Sequence, residues 1–378
     1  MTATTLRSLF SDPGARPDMA AEAASAAGNF GTVLPLLFGV VLATDLSPGP
    51  ALLLFGLWYI VAGAVYRQPI PIEPMKAVAV VAIGGGIGSG EIAAAGIILG
   101  ALFLSLGILG WISPITSRIP VPVTRGVQLA LGLLLARAAV GYATVDPTLT
   151  LLGLGVVLAF WLLRQRFTVP DLSAILVLAI GMGIGVLGGA APSVTLPIPM
   201  PVIPAPTDWV PALLVLVAPQ ALLTLTNSIA ATELLARDLL PRAPRADLLS
   251  RMIGAMNLGS VPFGGIPICH GAGGLAAQYR FGARTGWSNL FAGLILIALA
   301  FVAGSPATVA LFPAGLLAAL LLVVALTLVR HGFQTSSPVP TATVALVSLV
   351  SSLTVAFVLG WFVAWGMGRL RERRAASR

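Results

Sequence analysis

The sequence predicts an all-α polytopic membrane protein with 12–14 transmembrane elements in two inverted repeats, the third and tenth helices being discontinuous. Three observations carry this. Hydrophobic residues make up 57% of the 378-residue chain and charged residues 9%, whereas a soluble domain carries roughly 25% charged residues. The apolar runs are continuous, so the spans are helical and not the alternating strands of a barrel. Two short segments, each led in by proline and each holding an ionisable side chain, stand at matching positions of the two halves.

Residues 1–28 are polar and mixed, with no apolar signal core, and read as a cytoplasmic tail. Spans follow at about 30–44, 50–66, 74–84, 91–110, 124–141, 148–163 and 171–188. They place a first repeat over 29–190. A Pro-rich extracytoplasmic linker, 191–208, contains LPIPMPVIPAP. The second repeat, 209–368, has spans at about 209–232, 247–262, 270–279, 286–303 and 306–329, then an apolar stretch over 339–367. Residues 369–378 form a basic cytoplasmic tail.

Arginine sets the orientation. With the N-terminus inside, Arg67, Arg118, Arg125, Arg164, Arg166, Arg237, Arg242, Arg245, Arg280, Arg284 and Arg330 all fall in cytoplasmic loops. The opposite loops, 141–147 and 189–208, hold Asp146 and Asp208 but no Lys or Arg, as the positive-inside rule requires. Arg330 and the basic tail then share one side, so 339–367 crosses twice or not at all; a hairpin of short helices broken near Ser351–Ser352 is predicted, with one full span and the tail outside as the alternative. The hairpin places seven elements in each half, in opposite orientations. The net charge of +8 is therefore a topology signal and not nucleic-acid affinity.

Lys76 is the single lysine beside 20 arginines, and it lies in an apolar run, PIPIEPMKAVAVVAI, three residues after Glu73. Intramembrane charge is costly and marks a functional site by default. Pro69 and Pro71 make an extended lead-in, and Pro74 suits a first helical turn. A helix starting there aims free N–H groups and a positive dipole end forward, which favours an anion. The tenth element, GGIPICHGAGGLAAQYRFGARTG at 264–286, repeats the design with Pro267, His270 and the turn Gly271-Ala272-Gly273-Gly274.

These two stretches resemble the signatures of the molybdate/sulfate transporter family, a branch of the sulfate-permease-like superfamily. The resembling residues are PIPIEPMKAVAV (69–80) and PICHGAGGLAAQYRFGARTG (267–286). GNFGTVLPLLF (28–38), IPVPVTRGVQLALGL (119–133), APQALLTLTNSIAA (218–231) and RDLLP (237–241) agree in the same order. The resemblance implies seven-plus-seven inverted repeats, a core domain moving against a gate domain, and a tetrahedral oxyanion, molybdate or sulfate, between the third and tenth elements. Two positions depart from it: Glu73 stands where the family pattern has glutamine, and Asn29 where it has aspartate.

The expected substrate-binding residues are therefore Glu73, Pro74, Met75 and Lys76 in the first half. Thr226 and Asn227 of the eighth element join them, with Cys269, His270, Gly271, Ala272 and Gly273 of the tenth. Lys76 attracts the anion. Glu73 either carries a coupling proton or neutralises Lys76 in the empty site; His270 is a hydrogen-bond donor or a second proton carrier. Cys269 is a packing residue of that wall. Gly271, Gly273 and Gly274 allow close backbone approach to the anion or tight helix contact. Gln220 is a weaker candidate. Glu91 reads as lying at the outer interface and His331 as interfacial.

The function expected is a secondary active oxyanion transporter, proton-coupled, in the cell membrane with both termini cytoplasmic. Protons, lipid and a homodimeric second copy are its expected partners. A permease for another anion or a nucleobase, or a passive anion channel, is the alternative. Gly183-Ile-Gly185-Val-Leu-Gly188 has dinucleotide-fingerprint spacing but follows no strand. No cofactor, metal ligand set, Walker motif or enzymatic constellation is expected.

Overall fold

The computed structural model describes residues 8–12, 15, 17–116, 118–167, 172–187, 195–302 and 312–376. The first half comprises α1 (Met19–Ala26), α2 (Phe30–Ala43), α3 (Pro48–Tyr66), β1 (Ile72–Pro74), α4 (Lys76–Ile83) and α5 (Ser89–Leu109). A short helix α6 (Ile112–Thr116) leads to α7 (Val121–Val145), α8 (Pro147–Arg166) and α9 (Ser173–Leu187). The second half comprises α10 (Trp209–Leu239), α11 (Ala246–Ser260), β2 (Ile268–His270), α12 (Ala272–Arg280) and α13 (Trp287–Val302). It ends with α14 (Ala314–Phe333), α15 (Pro338–Val350) and α16 (Leu353–Ala376).

Eight of these helices are long and apolar enough to cross a membrane, counting α1–α2 as one, and α9, α13 and α15 are shorter apolar helices. With α11 and the two strand-plus-helix units they make seven elements on each side of the linker. The helix starts follow local chemistry. Pro48 and Pro147 occupy first turns, where a missing N–H costs nothing. Asp146 caps α8 by accepting from the Leu149 amide at 3.0 Å. Gly110, at φ 69°, closes α5 in the left-handed region that glycine enters freely.

Helix contacts reproduce the repeat. α5 packs along α11, and α3 packs along α13; exchanging the halves turns one pair into the other. α7 packs along α14, its own counterpart. Glycine sets the separations: a Cβ at Gly63 or Gly286 would run into the other's backbone, the small-residue contact typical of membrane helices. Two groups emerge, α1–α5 with α10–α13, and α7–α9 with α14–α16. α8 and α16 leave most of their surface exposed, and in a bilayer that surface faces lipid.

β1 and β2 pair antiparallel, with Ile72 opposite His270, Glu73 opposite Cys269 and Pro74 opposite Ile268. α4 and α12 therefore leave the pair in opposite directions, the relation that inversion demands of the third and tenth elements. Strand backbone at membrane depth needs partners that no helical ladder supplies. Asparagines supply them. Asn257 donates to Ile268 O at 2.7 Å and accepts from Ile268 N at 3.0 Å; Asn289 donates to Ile70 O at 2.6 Å.

Several expectations shift. The first span begins at Met19, not near residue 30, so the expected tail at 1–28 is in part helix inside the fold. The cause is Glu22, 1% exposed, which accepts from the amides of Arg284, Thr285 and Ser288 and from the Thr285 hydroxyl. The hairpin over 339–367 is present and breaks at Ser351–Ser352, but α16 is not short: it runs on to Ala376 through the expected tail. The twelfth element starts at Ala314; the expected start at 306, like the end of the first repeat at 188–190 and the linker residues 191–194, lies outside the described residues. Glu91 caps the start of α5 by accepting from the Gly88 amide at 2.9 Å. Nearby, Asp45 accepts from the Ser89 hydroxyl at 2.7 Å and amide at 2.8 Å, and the hydroxyl bond chiefly holds its carboxyl below the usual range.

Candidate functional site

Glu73, Lys76, Cys269 and Gly273 line a cavity of about 290 Å³ bounded by α2, α4, α7, α10, α12 and α14. It lies between the two helix groups. Its deep end is formed by Glu73, whose side chain is 3% exposed. Thr327 and His331, both exposed, stand at its mouth.

The first half-helix begins at Lys76 because Pro74 ends the strand and Met75 holds an extended backbone, its amide donating to Pro267 O at 2.9 Å. One turn of sequence returns the Lys76 side chain toward Glu73, and Lys76 Nζ pairs with Glu73 Oε2. The Ala77 amide, in the first turn, donates to Gln220 Oε1 at 2.8 Å, and Gln220 Nε2 donates to Thr224 Oγ1 at 3.0 Å. Two π-helical stretches of α10, Ala212–Val217 and Thr224–Ala230, flank Gln220 and carry Asn227 to the cavity wall.

The second half-helix begins at Ala272 after Gly271. Its Gly274 amide donates to Glu73 Oε1 at 3.1 Å. A Cβ at Gly271 or Gly274 would overlap the Glu73 carboxyl. Those two glycines are thus the space into which the carboxylate of the other half fits. The first-turn amides of Ala272 and Gly273 donate to no protein group among the described residues. Gly273 is exposed to the cavity with open space beside it. The site is thus an ammonium group and free helix-end amides around a pocket, with a carboxylate already bound to part of them. Such a surface stabilises an anion electrostatically.

His270 lies behind the wall. It is 0% exposed; Nδ1 is 2.9 Å from Pro71 O and Nε2 is 2.9 Å from the Tyr66 hydroxyl. A carbonyl only accepts, so Nδ1 carries the hydrogen and Nε2 accepts from Tyr66. Neither nitrogen is left for a substrate, which departs from the donor role expected of it: the strand pairing turns the ring toward the β1 lead-in. Asn29 is likewise tied, donating to Tyr59 Oη at 3.0 Å and Ile72 O at 3.1 Å.

Of the other expected residues, Asn227 and Cys269 reach the cavity. Thr226 turns its hydroxyl back to Leu222 O at 2.8 Å. Pro74, Met75, Gly271 and Ala272 shape the backbone without lining the cavity. Residues that sequence reading passed over complete the wall: Thr32, Gln128, Ser228 and Thr327, together with His331, which was expected to be interfacial. Arg125 Nη1 donates to Gln128 Oε1 at 3.1 Å. The signal for these positions was weak, because polar residues on α7 and α14 approach the site only once the two groups are packed.

Paired broken segments and a cavity between two helix groups, in a fold with eight helices long and apolar enough to cross a membrane among the described residues, define a multi-pass membrane protein of the transporter class, in agreement with its relatives. The chain belongs to the family described as "Molybdate transporter of MFS superfamily", whose model matches residues 21–135 and 212–328. It is 32% identical to Molybdate transporter 1 of Arabidopsis thaliana over 354 residues, 80% of this chain and 77% of the relative. It is equally 32% identical to Molybdate transporter 2 of the same plant, with the same coverage. Molybdate transporter 1 of Chlamydomonas reinhardtii is 28% identical over 84% of each chain.

Among solved structures, the transmembrane domain of the cyanobacterial bicarbonate transporter BicA matches with TM-score 0.66 at 16% identity, over 94% of this chain and 98% of that one. Murine Solute Carrier 26 family member A9 matches with TM-score 0.69 at 12% identity, over 98% and 72%. These likenesses concern the fold. The halves of MFS transporters are parallel repeats, whereas the broken elements of this chain cross antiparallel; its architecture is that of the two solved neighbours.

Proposed function

We propose that this chain is a secondary active transporter of a tetrahedral oxyanion, molybdate and/or sulfate, driven by protons. The observation that carries the reading is the Glu73 carboxylate, which sits on the Gly274 amide and on Lys76. One negatively charged oxygen atom pair already occupies part of an anion seat. The names of the plant and algal relatives favour molybdate.

The chemistry follows from one substitution of charge. An ionised Glu73 competes with an arriving dianion for Lys76 and the Gly274 amide. A protonated Glu73 has no charge to hold there, and its release leaves both donors to the oxyanion, with the free amides of Ala272 and Gly273 beside them. Anion and proton then occupy the site together, which is symport. On the arginine distribution the mouth at His331 faces the cytoplasm. Sliding of α1–α5 and α10–α13 against the other group would carry the seat to the opposite face. The second repeat ends near residue 368 on this reading, and both termini are cytoplasmic.

The test is uptake of labelled molybdate into vesicles holding the purified protein, with and without an inward proton gradient. Gradient-stimulated uptake, competed by sulfate, is expected. A second reading keeps Glu73 as a fixed counter-ion of Lys76. It predicts the same pH response in wild type and Glu73→Gln. Non-saturating current without gradient dependence would instead identify a channel, and competition by uracil a nucleobase permease.

A further inference from the structure

A second cavity, of about 560 Å³, lies away from the transport site between the C-terminal ends of α3 and α5 and the N-terminal end of α11. Gln68, Asp247 and three arginines, Arg242, Arg245 and Arg251, line it. Gln68 is 2% exposed, and its amide nitrogen and oxygen both lack a hydrogen-bond partner among the described residues. Asp247 Oδ1 is buried and equally unpartnered. Buried polar atoms are normally satisfied, because one left alone loses its water without gaining a partner. Two residues of one cavity wall thus carry polar atoms that no protein group satisfies, which points to a ligand.

The charges narrow its chemistry. Arg242 is engaged with Asp12 at 2.9 Å, whereas Arg245 and Arg251 have no ion-pair partner among the described residues. Arg251 Nε donates to Asp247 O at 3.3 Å, which keeps its guanidinium beside the first turn of α11. Arg245 is the residue preceding that helix, whose N-terminus has no side-chain cap. Two guanidinium groups and a helix N-terminus suit a phosphate. A lone phosphate would leave the Asp247 carboxylate unmatched and repelled. A ligand carrying a phosphate and an ammonium in one short headgroup matches both signs of charge, phosphate for Arg245 and Arg251 and ammonium for the Asp247 carboxylate, with the Gln68 amide beside them. The walls show where it comes from. Val65 and Ile108, 48% and 66% exposed, line the same cavity, so an apolar route joins it to the bilayer on the arginine-rich side.

We propose that this cavity binds an aminophospholipid headgroup, phosphate with primary ammonium, taken from the surrounding leaflet. Tyr66 also lines it, and the Tyr66 hydroxyl holds His270 in the strand pair; occupancy therefore braces the lead-in to the third element.

The experiment reconstitutes the purified full chain in vesicles of equal phosphatidylethanolamine, phosphatidylglycerol and phosphatidylcholine, extracts it, and identifies retained lipid by native mass spectrometry. Phosphatidylethanolamine is expected to exceed each of the others by about tenfold, the worth of one charge-assisted hydrogen bond. Phosphatidylcholine shares the phosphate but has no N–H to donate. Asp247→Asn is expected to abolish the preference, and Arg251→Gln to lower retention of all three lipids. Gln68→Leu, which needs no partner, is expected to lower retention while leaving the protein folded. Equal retention of the three lipids by wild type, or a preference that survives Asp247→Asn, would overturn the proposal. So would displacement by soluble phosphoethanolamine with no lipid retained, which places the source in solution.

Discussion

Glu73 and Gly274, 201 residues apart, are joined at 3.1 Å by a hydrogen bond from the amide of one to the carboxylate of the other. The bond ties the first broken element to the first turn of the second. Because the same carboxylate pairs with Lys76, a change in the charge of Glu73 is felt at both half-helices at once.

Lys76→Ala is expected to abolish labelled molybdate uptake while the protein still reaches the membrane. A charge-assisted contact is worth about 1.5–3 kcal/mol, so anion affinity is expected to fall by about tenfold to a hundredfold. Titration calorimetry of the purified variant measures this directly, and wild-type affinity would remove Lys76 from the site.

Glu73→Gln keeps the shape of the side chain and removes its charge. Wild-type uptake is expected to rise as the pH on the uptake side falls, because protonation vacates the seat. The variant is expected to bind the anion across the pH range and to lose gradient stimulation. Retention of the wild-type pH profile would leave Glu73 as a counter-ion alone.

The paired glycines separate space from chemistry. A Cβ at Gly274 meets Asn29 and the Glu73 carboxyl at 2.7 Å, whereas one at Gly273 meets nothing within 4 Å. Gly274→Ala is expected to cost about 1–3 kcal/mol through overpacking and to lower thermal stability in detergent. Gly273→Ala is expected to melt with wild type yet raise the KM for uptake, since its methyl group enters the cavity.

His270 is expected to act through structure. Tyr66→Phe removes the hydroxyl and leaves Nε2 without a donor, at a cost of about 1–3 kcal/mol. His270→Ala also strands Pro71 O, so it is expected to be the more destabilising of the two. Neither is expected to shift the pH midpoint of uptake, and a shift in residual His270→Ala activity would return the ring to the proton path.

Glu22→Ala is expected to destabilise the fold by more than either, because four donors from the 284–288 segment lose one carboxylate. A circular-dichroism melt of the variant in detergent checks it.

Much of this architecture is readable in one dimension because bilayer physics is local. Twenty apolar residues make a span wherever they occur, and arginine marks the retained side. Prolines before Lys76 and glycines after His270 break helices through their own backbones. Those features determine fourteen elements, the hairpin at Ser351–Ser352 and two interrupted segments at matching positions. A single lysine inside an apolar run marks Lys76 as a site candidate from sequence alone, and Lys76 lines the cavity.

Tertiary structure alone decided what each of these side chains touches. His270 faces Pro71 and not the cavity because strand register fixes its direction. Glu22 leaves the tail for the core because its partners lie more than 260 residues away. Gln128 and His331 join the wall because α7 and α14 pack against each other. Span and break propensities depend on neighbours in sequence, whereas hydrogen-bond partners and cavity walls depend on neighbours in space, and no local pattern encodes those.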